Sequence, residues 1–190
     1  MRYRTEKMKR RPAPLSRLFL HFAVAASLVL AGCGSTTRPD GGKGLLAAGA
    51  VAPDFEARDP GGTAVRFSAA AGNTRVVYFY PKDETPGCIK EACAFRDAFD
   101  KYRGHGIVIF GVSRDSADSH RDFQKHYTLP FALAADESGA IQTSYGVPSR
   151  LGHAARVTFL VGGDGRVVRV FPDVDPAVHA AEVLAAVPAS

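Results

Sequence analysis

The chain has 190 residues, 46% of them hydrophobic and 23% charged, which is enough apolar material for one sizeable core. Its formal net charge of +5 is confined to one end: residues 1–32 hold seven Lys/Arg against one acid, leaving seventeen basic and eighteen acidic residues from Cys33 onward. The rest of the chain therefore has no basic surplus to point to a nucleic-acid partner, and the three cysteines and six scattered histidines show no zinc-ligand spacing.

The first segment has a positive stretch to Arg17, an apolar run from Leu18 to Ala31, and then Leu30-Ala31-Gly32-Cys33. The run is shorter than the roughly 20 residues of a membrane span and fits the core of a secretory signal. Small residues before a cysteine resemble the lipobox of bacterial lipoproteins. That resemblance implies a signal peptide over 1–32, cleavage before Cys33 and acylation of its thiol and new amino group. The mature protein is then expected outside the cytoplasm, lipid-anchored at the periplasmic face of the envelope, with Gly34 favouring the outer membrane. Residues 33–50, rich in Gly, Ala, Ser and Thr, read as the lipidated end and a flexible tether. Residues 51–190 have the size of one domain.

Within that domain Asp54–Arg58 and Ala64–Phe67 flank a Pro60-Gly-Gly turn and suggest a hairpin. Val76–Tyr80 and Ile107–Val112 read as buried strands. Between them Ala92, Phe95, Phe99 and Tyr102 recur at helical spacing, predicting a helix that Gly104 ends. Strand, helix, strand implies a parallel pair with a right-handed crossover. Ser116–Tyr127 reads as a second helix with His120, Phe123 and Tyr127 on one face, followed by a short segment near Phe131–Ala134. Val157–Val161 and Val167–Phe171 flank Gly162-Gly-Asp-Gly165, a hairpin signal. Asp175-Pro176 opens a last helix with a stripe of Ala180, Val183, Leu184 and Val187. The order predicts an α/β, thioredoxin-like fold with a central mixed sheet flanked by helices and an N-terminal hairpin extension.

The chemistry is concentrated between Tyr78 and Phe95. A buried strand ends at Pro81, a polar loop follows, Thr85 takes the cap position of a helix, Pro86 its first position, and Cys88 its first turn. Unpaired N–H groups and the helix dipole there favour a thiolate, the reactive form of cysteine. Cys93 follows in the same helix, close enough to be a partner for an oxidised Cys88. Alone, Cys88 could equally be an inert core cysteine, because it continues the stripe of Ala92, Phe95 and Phe99. Glu84 and Glu91 read as solvated charges at the helix start, and His153 and His179 as surface residues.

Pro81, Thr85 and Cys88 match the Pro-x-x-x-Thr-x-x-Cys motif of peroxiredoxins, and Thr85-Pro-Gly-Cys with Lys90-Glu-Ala-Cys-Ala-Phe-Arg-Asp97 resembles the bacterioferritin-comigratory, or peroxiredoxin Q, branch. The likeness extends through Ala52-Pro-Asp-Phe55, Gly111-Val-Ser-Arg-Asp-Ser116, Leu129-Pro-Phe131, Tyr145-Gly-Val147 and Arg156-Val-Thr-Phe-Leu160. It departs at Ile89, where many relatives carry Thr. The compact segment Pro148–Ala155 is similar to shorter, plant-type members. The resemblance implies a cofactor-free thiol peroxidase that reduces hydrogen peroxide and organic hydroperoxides. Cys88 would be the peroxidatic nucleophile, Thr85 would hold the peroxide, and Pro81 would shield the sulfur. Arg156 would stabilise the thiolate and polarise the O–O bond, and Cys93 would form an intramolecular disulfide with the oxidised Cys88. The expected partners are a hydroperoxide, a thioredoxin-like or other thiol reductant and, through Cys33, a membrane; no nucleic acid is expected, and the chain is expected to be a monomer. Two rival readings are a thioredoxin-like protein disulfide oxidoreductase and a redox-sensing lipoprotein. The first generally uses Cys-x-x-Cys, whereas four residues separate Cys88 and Cys93.

Overall fold

The computed structural model describes residues 36–188 apart from Pro60; Cys33 and the signal-like segment before it lie outside the described residues. A short antiparallel hairpin, β1 (Glu56–Arg58) and β2 (Ala64–Arg66), leads through a 3-10 turn (Phe67–Ala70) into the central strand β3 (Thr74–Phe79). Helices α1 (Pro86–Asp97) and α2 (Phe99–Gly104) then cross to β4 (Ile107–Ser113), and α3 (Ala117–Tyr127) crosses to β5 (Ala132–Ala135). Next come α4 (Ala140–Ser144), a small hairpin of β6 (Ser149–Arg150) and β7 (His153–Ala154), the hairpin β8 (Val157–Val161) and β9 (Val167–Phe171), and α5 (His179–Ala185). The main sheet runs β5-β4-β3-β8-β9; β3 lies parallel to β4 and antiparallel to β8, so it is mixed, as the thioredoxin-like reading requires.

Alternation along β3 divides the core in two, because successive side chains point to opposite faces. Val77 and Phe79 join Phe55, Phe67, Phe110, Tyr145 and Phe159 on one face. Val76, Tyr78 and Tyr80 join Cys88, Phe95, Tyr102, Phe123 and Leu160 on the other, beneath α1, α3 and α5. A strand buried on both faces reads as a continuous apolar run, which is how the sequence of β3 reads. Tyr78 stacks on Phe95 at 4.9 Å between ring centroids, and Gly111, its register partner on β4, makes the room. A Cβ at Gly111 would meet the Tyr78 hydroxyl at 2.6 Å and Leu133 at 2.7 Å.

Three expectations change. The long helix ending at Gly104 is two helices: Ala98 sits at φ −91°, ψ 0°, breaking the ladder after Asp97 and letting α2 pack on its own axis. The last helix starts at His179 rather than Asp175, because Asp175 makes a turn by accepting from the Ala177 N–H at 2.9 Å. The tether expected up to Ala50 is docked from Thr36 onward. Leu46 is buried and donates its N–H to the Tyr145 carbonyl at 3.0 Å, and the Gly49 N–H reaches the Val167 carbonyl at 2.7 Å. Composition suggested a flexible linker, but glycines there allow close backbone approach. Gly146, at φ +71°, has no room for a Cβ, which would fall 1.8 Å from the Gly44 carbonyl oxygen.

Candidate active site

The sheet register brings the candidate residues together. Phe79 pairs with Val157, so Arg156, one residue earlier on the antiparallel strand, comes level with Tyr80 and the start of the loop to α1. Cys88 enters from the other side as the third residue of α1, only 2% exposed. There the Arg156 Nη2 group donates to Cys88 Sγ at 3.3 Å. Gly87 permits this approach, since a Cβ on it would lie 3.2 Å from the same nitrogen. Sequence reading thus placed Cys88 and Arg156 at one point, and the geometry puts them in contact.

Thr85 occupies the N-cap position with extended backbone, φ −83° and ψ 146°, but its side chain does not cap the helix. Its hydroxyl donates instead to the Lys82 carbonyl at 3.0 Å, which tightens the loop and leaves the first N–H groups of α1 without a side-chain cap. Such N–H groups at a helix start attract negative charge. Pro81 is half-buried and shares with Arg156 a pocket of about 370 Å³, lined also by Ala154, Ala155, Pro172 and Val174. Cys93 lies half-buried further along α1, and both cysteines are free thiols.

Glu91 corrects the sequence reading. It is fully buried, not solvated, and accepts from Arg156 Nη1, so one guanidinium spans the carboxylate and the sulfur. Burial pushes the Glu91 carboxyl up to about 7, and the charge and hydrogen bond of Arg156 only partly oppose this. Burial disfavours the Arg156 cation, but the adjacent Glu91 and Cys88 outweigh it and hold the guanidinium firmly protonated. The signal was present: Glu91 is at i+3 from Cys88 and shares its helical face, on the stripe otherwise read as apolar.

His179 is likewise buried rather than at the surface. Its ring stands edge-on to Phe95, with centroids 5.6 Å apart, and its Nε2 lies 2.8 Å from the Thr158 hydroxyl. Burial, then the positive charge of Arg156, lowers its pKa to about 4, so it is neutral in the folded protein at physiological pH. His153 is half-buried in β7. Glu84 is exposed, as expected for a loop charge, with its backbone in the left-handed region at φ +57°.

A network that sequence reading missed fixes the loop before Thr85. Buried Asp83 accepts from the Tyr80 hydroxyl at 2.7 Å and the Ser119 hydroxyl at 2.7 Å, and its Oδ2 lies 2.8 Å from His120 Nδ1. Burial raises the Asp83 pKa, but its hydrogen bonds to His120, Ser119 and Tyr80 prevail and hold the carboxyl below its ordinary value. The Asp83 N–H in turn reaches Asp115 Oδ2 at 2.9 Å. A buried carboxylate without partners would be costly, and this one carries the loop's position across to α3.

The arrangement can do one kind of chemistry with economy. A cysteine at a helix start, beside a permanent cation, is placed to act as a nucleophile, and the same cation can stabilise negative charge on a group displaced from the atom that the sulfur attacks. Comparison with known proteins agrees. The AhpC/TSA family pattern matches residues 48–170. The chain is 42% identical over 144 residues to the chloroplastic peroxiredoxin Q of Oryza sativa subsp. japonica, covering 74% of this chain and 66% of that protein, just under two thirds of the relative's length. Among solved structures, the Xanthomonas campestris bacterioferritin comigratory protein is 36% identical, with a TM-score of 0.66 over 70% of this chain and 88% of that one. Mycobacterium tuberculosis peroxidoxin BcpB is 31% identical, with a TM-score of 0.69 over 73% of this chain and 94% of that one. The register that sets Arg156 against Cys88 is thus built on a shared scaffold, and the chain belongs to the AhpC/TSA family, in its peroxiredoxin Q branch.

Proposed function

We propose that this chain is a thiol-dependent peroxidase that reduces hydrogen peroxide and organic hydroperoxides through Cys88. The carrying observation is the 3.3 Å contact from Arg156 to Cys88 Sγ in the first turn of α1. In the reaction the Cys88 thiolate attacks the terminal oxygen of the hydroperoxide, the O–O bond breaks, and the displaced hydroxide or alkoxide takes a proton to leave as water or an alcohol. Cys88 is left as a sulfenic acid. Arg156 faces the developing charge, Thr85 offers its hydroxyl to the peroxide, and Pro81 keeps bulk water from the sulfur. The Cys93 thiolate then attacks the Cys88 sulfur, water departs, and the resulting disulfide is reduced by two electrons from a thioredoxin-like or other thiol donor. Because both cysteines sit on one helix, the cycle needs no second chain, and the reading takes the protein as a monomer.

The same proposal includes export and lipid anchoring at Cys33, supported by Leu30-Ala31-Gly32-Cys33 at the end of the apolar run. The working location is then the periplasmic face of the envelope, with the outer membrane favoured by Gly34. Rapid mixing with hydrogen peroxide followed by mass spectrometry tests the chemistry. Cys88 should gain one oxygen in the Cys93→Ser variant and form the Cys88–Cys93 disulfide in the native chain. Oxidation no faster than that of a free thiol would favour the oxidoreductase or sensor readings. Intact-mass analysis of membrane-extracted protein should find a chain beginning at an acylated Cys33.

A further inference from the structure

The β6–β7 hairpin turns at Leu151, whose side chain is 100% exposed and whose backbone stands at φ +51°. The two-residue turn Leu151-Gly152 takes left-handed backbone at both positions, as such hairpin turns do, and that geometry favours Gly, Asn or Asp; neither the turn nor solubility calls for an exposed leucine there. The turn is nevertheless braced. Arg114 donates from Nη1 to the Gly152 carbonyl at 3.2 Å and from Nη2 to the Glu137 carbonyl at 3.1 Å. Exposed Arg150 stands beside Leu151, and both border the pocket that contains Arg156.

The N-terminal arm is fastened to the segment that leads into this hairpin. The Thr36 hydroxyl donates to the Val147 carbonyl at 3.3 Å, and Gly44 lies against Gly146. Only Gly34 and Ser35 separate Thr36 from Cys33, so three Cα steps limit that link to about 11 Å. Four steps from Val147 limit Leu151 to about 14 Å further on. A domain of this length is roughly 40 Å across. A leash so much shorter than the domain keeps the arm's side, and the hairpin with it, toward whatever holds Cys33.

We infer that the hairpin tip, Arg150 with Leu151, is a membrane-contact surface that presents the pocket lined by Pro81 and Arg156, the residue in contact with Cys88, to hydroperoxides of phospholipid acyl chains. The inference rests on the peroxidase and lipid-anchor readings above. An apolar side chain beside a cation suits the boundary between acyl chains and anionic headgroups. A hydroperoxide group is polar and costly to keep in hydrocarbon, so an oxidised acyl chain brings it up to that boundary, where the pocket opens. The step there is the same one: the Cys88 thiolate takes the terminal OH, the O–O bond breaks, and the lipid leaves as an alcohol after protonation of its alkoxide.

The chain has no tryptophan, so Leu151→Trp supplies a single reporter. In the full-length acylated protein on phosphatidylcholine–phosphatidylglycerol vesicles, its emission should shift to the blue and be quenched by lipids spin-labelled near the headgroup. Leu151→Ser should lower the ratio of the rate on phosphatidylcholine hydroperoxide to that on hydrogen peroxide by about tenfold, the weight of burying one leucine. Val178→Ser, at a site 48% exposed on the approach to α5, should leave that ratio alone. Water-like emission from vesicle-bound Leu151→Trp, or an unmoved ratio in Leu151→Ser, overturns the inference while an acylated chain still consumes hydrogen peroxide. A native chain inert to hydrogen peroxide would overturn the peroxidase reading, and an unacylated Cys33 the anchor; either takes the inference with it.

Discussion

Arg156 is the residue on which the site turns, because one guanidinium holds a sulfur and a buried carboxylate together. Replacing it with methionine keeps the bulk and removes the charge. Arg156→Met should slow single-turnover oxidation of Cys88 by on the order of 10²–10³, as for loss of an oxyanion-stabilising donor; a folded variant reacting at the native rate would remove Arg156 from the chemical step. Glu91 and His179 make a second expectation, with opposite signs. The Glu91 carboxyl, at about 7 in the folded chain against 4.5 ordinarily, contributes stability that is complete below about 4.5 and lost as pH rises through 7. His179, at about 4 against 6.5, contributes stability that is present above about 6.5 and lost as pH falls through 4. Each is worth on the order of 3 kcal/mol at full extent, and the two nearly cancel between pH 4.5 and 6.5. Urea unfolding of Glu91→Gln should therefore show stability climbing steeply with pH over that window, while His179→Gln shows it falling. Cys88 was legible from its place at a helix start within a spaced motif, and Arg156 only through its place before Val157–Leu160 in the family pattern that the chain resembles. Glu91 and His179 were not, because a charge's burial is decided by what packs over it, here Arg156 for one and Phe95 and Phe171 for the other.

At the scale of elements, α1 presents a geometric conflict. In a regular helix two residues five apart have Cα atoms about 8.7 Å distant, whereas a disulfide spans at most about 6.8 Å. Cys88 and Cys93 both lie in regular helix, so bonding them requires α1 to open. The structure indicates where the opening would stop. Before the helix, Asp83 is held by His120, and Glu84 accepts from the Tyr127 hydroxyl at 3.1 Å. After Cys93, Arg96 donates to the Tyr127 carbonyl at 2.9 Å. Amide exchange should accordingly lose protection between Pro86 and Cys93 in the disulfide form and keep it from Arg96 onward; uniform protection across α1 in a verified Cys88–Cys93 disulfide would exclude the motion. Cys93→Ser should keep the fast first oxidation, lose recycling and convert Cys88 to sulfinic acid more readily. The strands and the Gly162–Gly165 turn were legible element by element, since period and turn chemistry are local signals. The break at Ala98 was not, because the apolar spacing continues across it and only the packing of α2 against β4 redirects the chain.

For the molecule as a whole, the fold class followed from the order of elements, whereas the docked arm did not. Its small residues look like a linker, and their fit depends on a surface assembled from Tyr145, Gly146 and Val167, about a hundred positions away. Gly146→Ala should test this fit: with the left-handed backbone strained and Gly44 displaced, thermal unfolding should fall by several degrees and proteases should cut before Leu46, while the Cys88 site keeps its reactivity. The arm also determines how the protein bears a load. A pull from Cys33 arrives first at Thr36 and its one side-chain bond, then at Gly44, and only afterwards at buried Leu46. Hydrogen bonds loaded one after another peel in sequence rather than sharing the force. Stretched in optical tweezers from its N-terminus, the protein should lengthen by about 35 Å, the contour of ten residues, before the sheet gives way. With Cys33 anchored as proposed, the arm would thus act as a shock absorber, yielding slack when the anchoring surface moves and sparing the β3–β8 register that keeps Arg156 against Cys88.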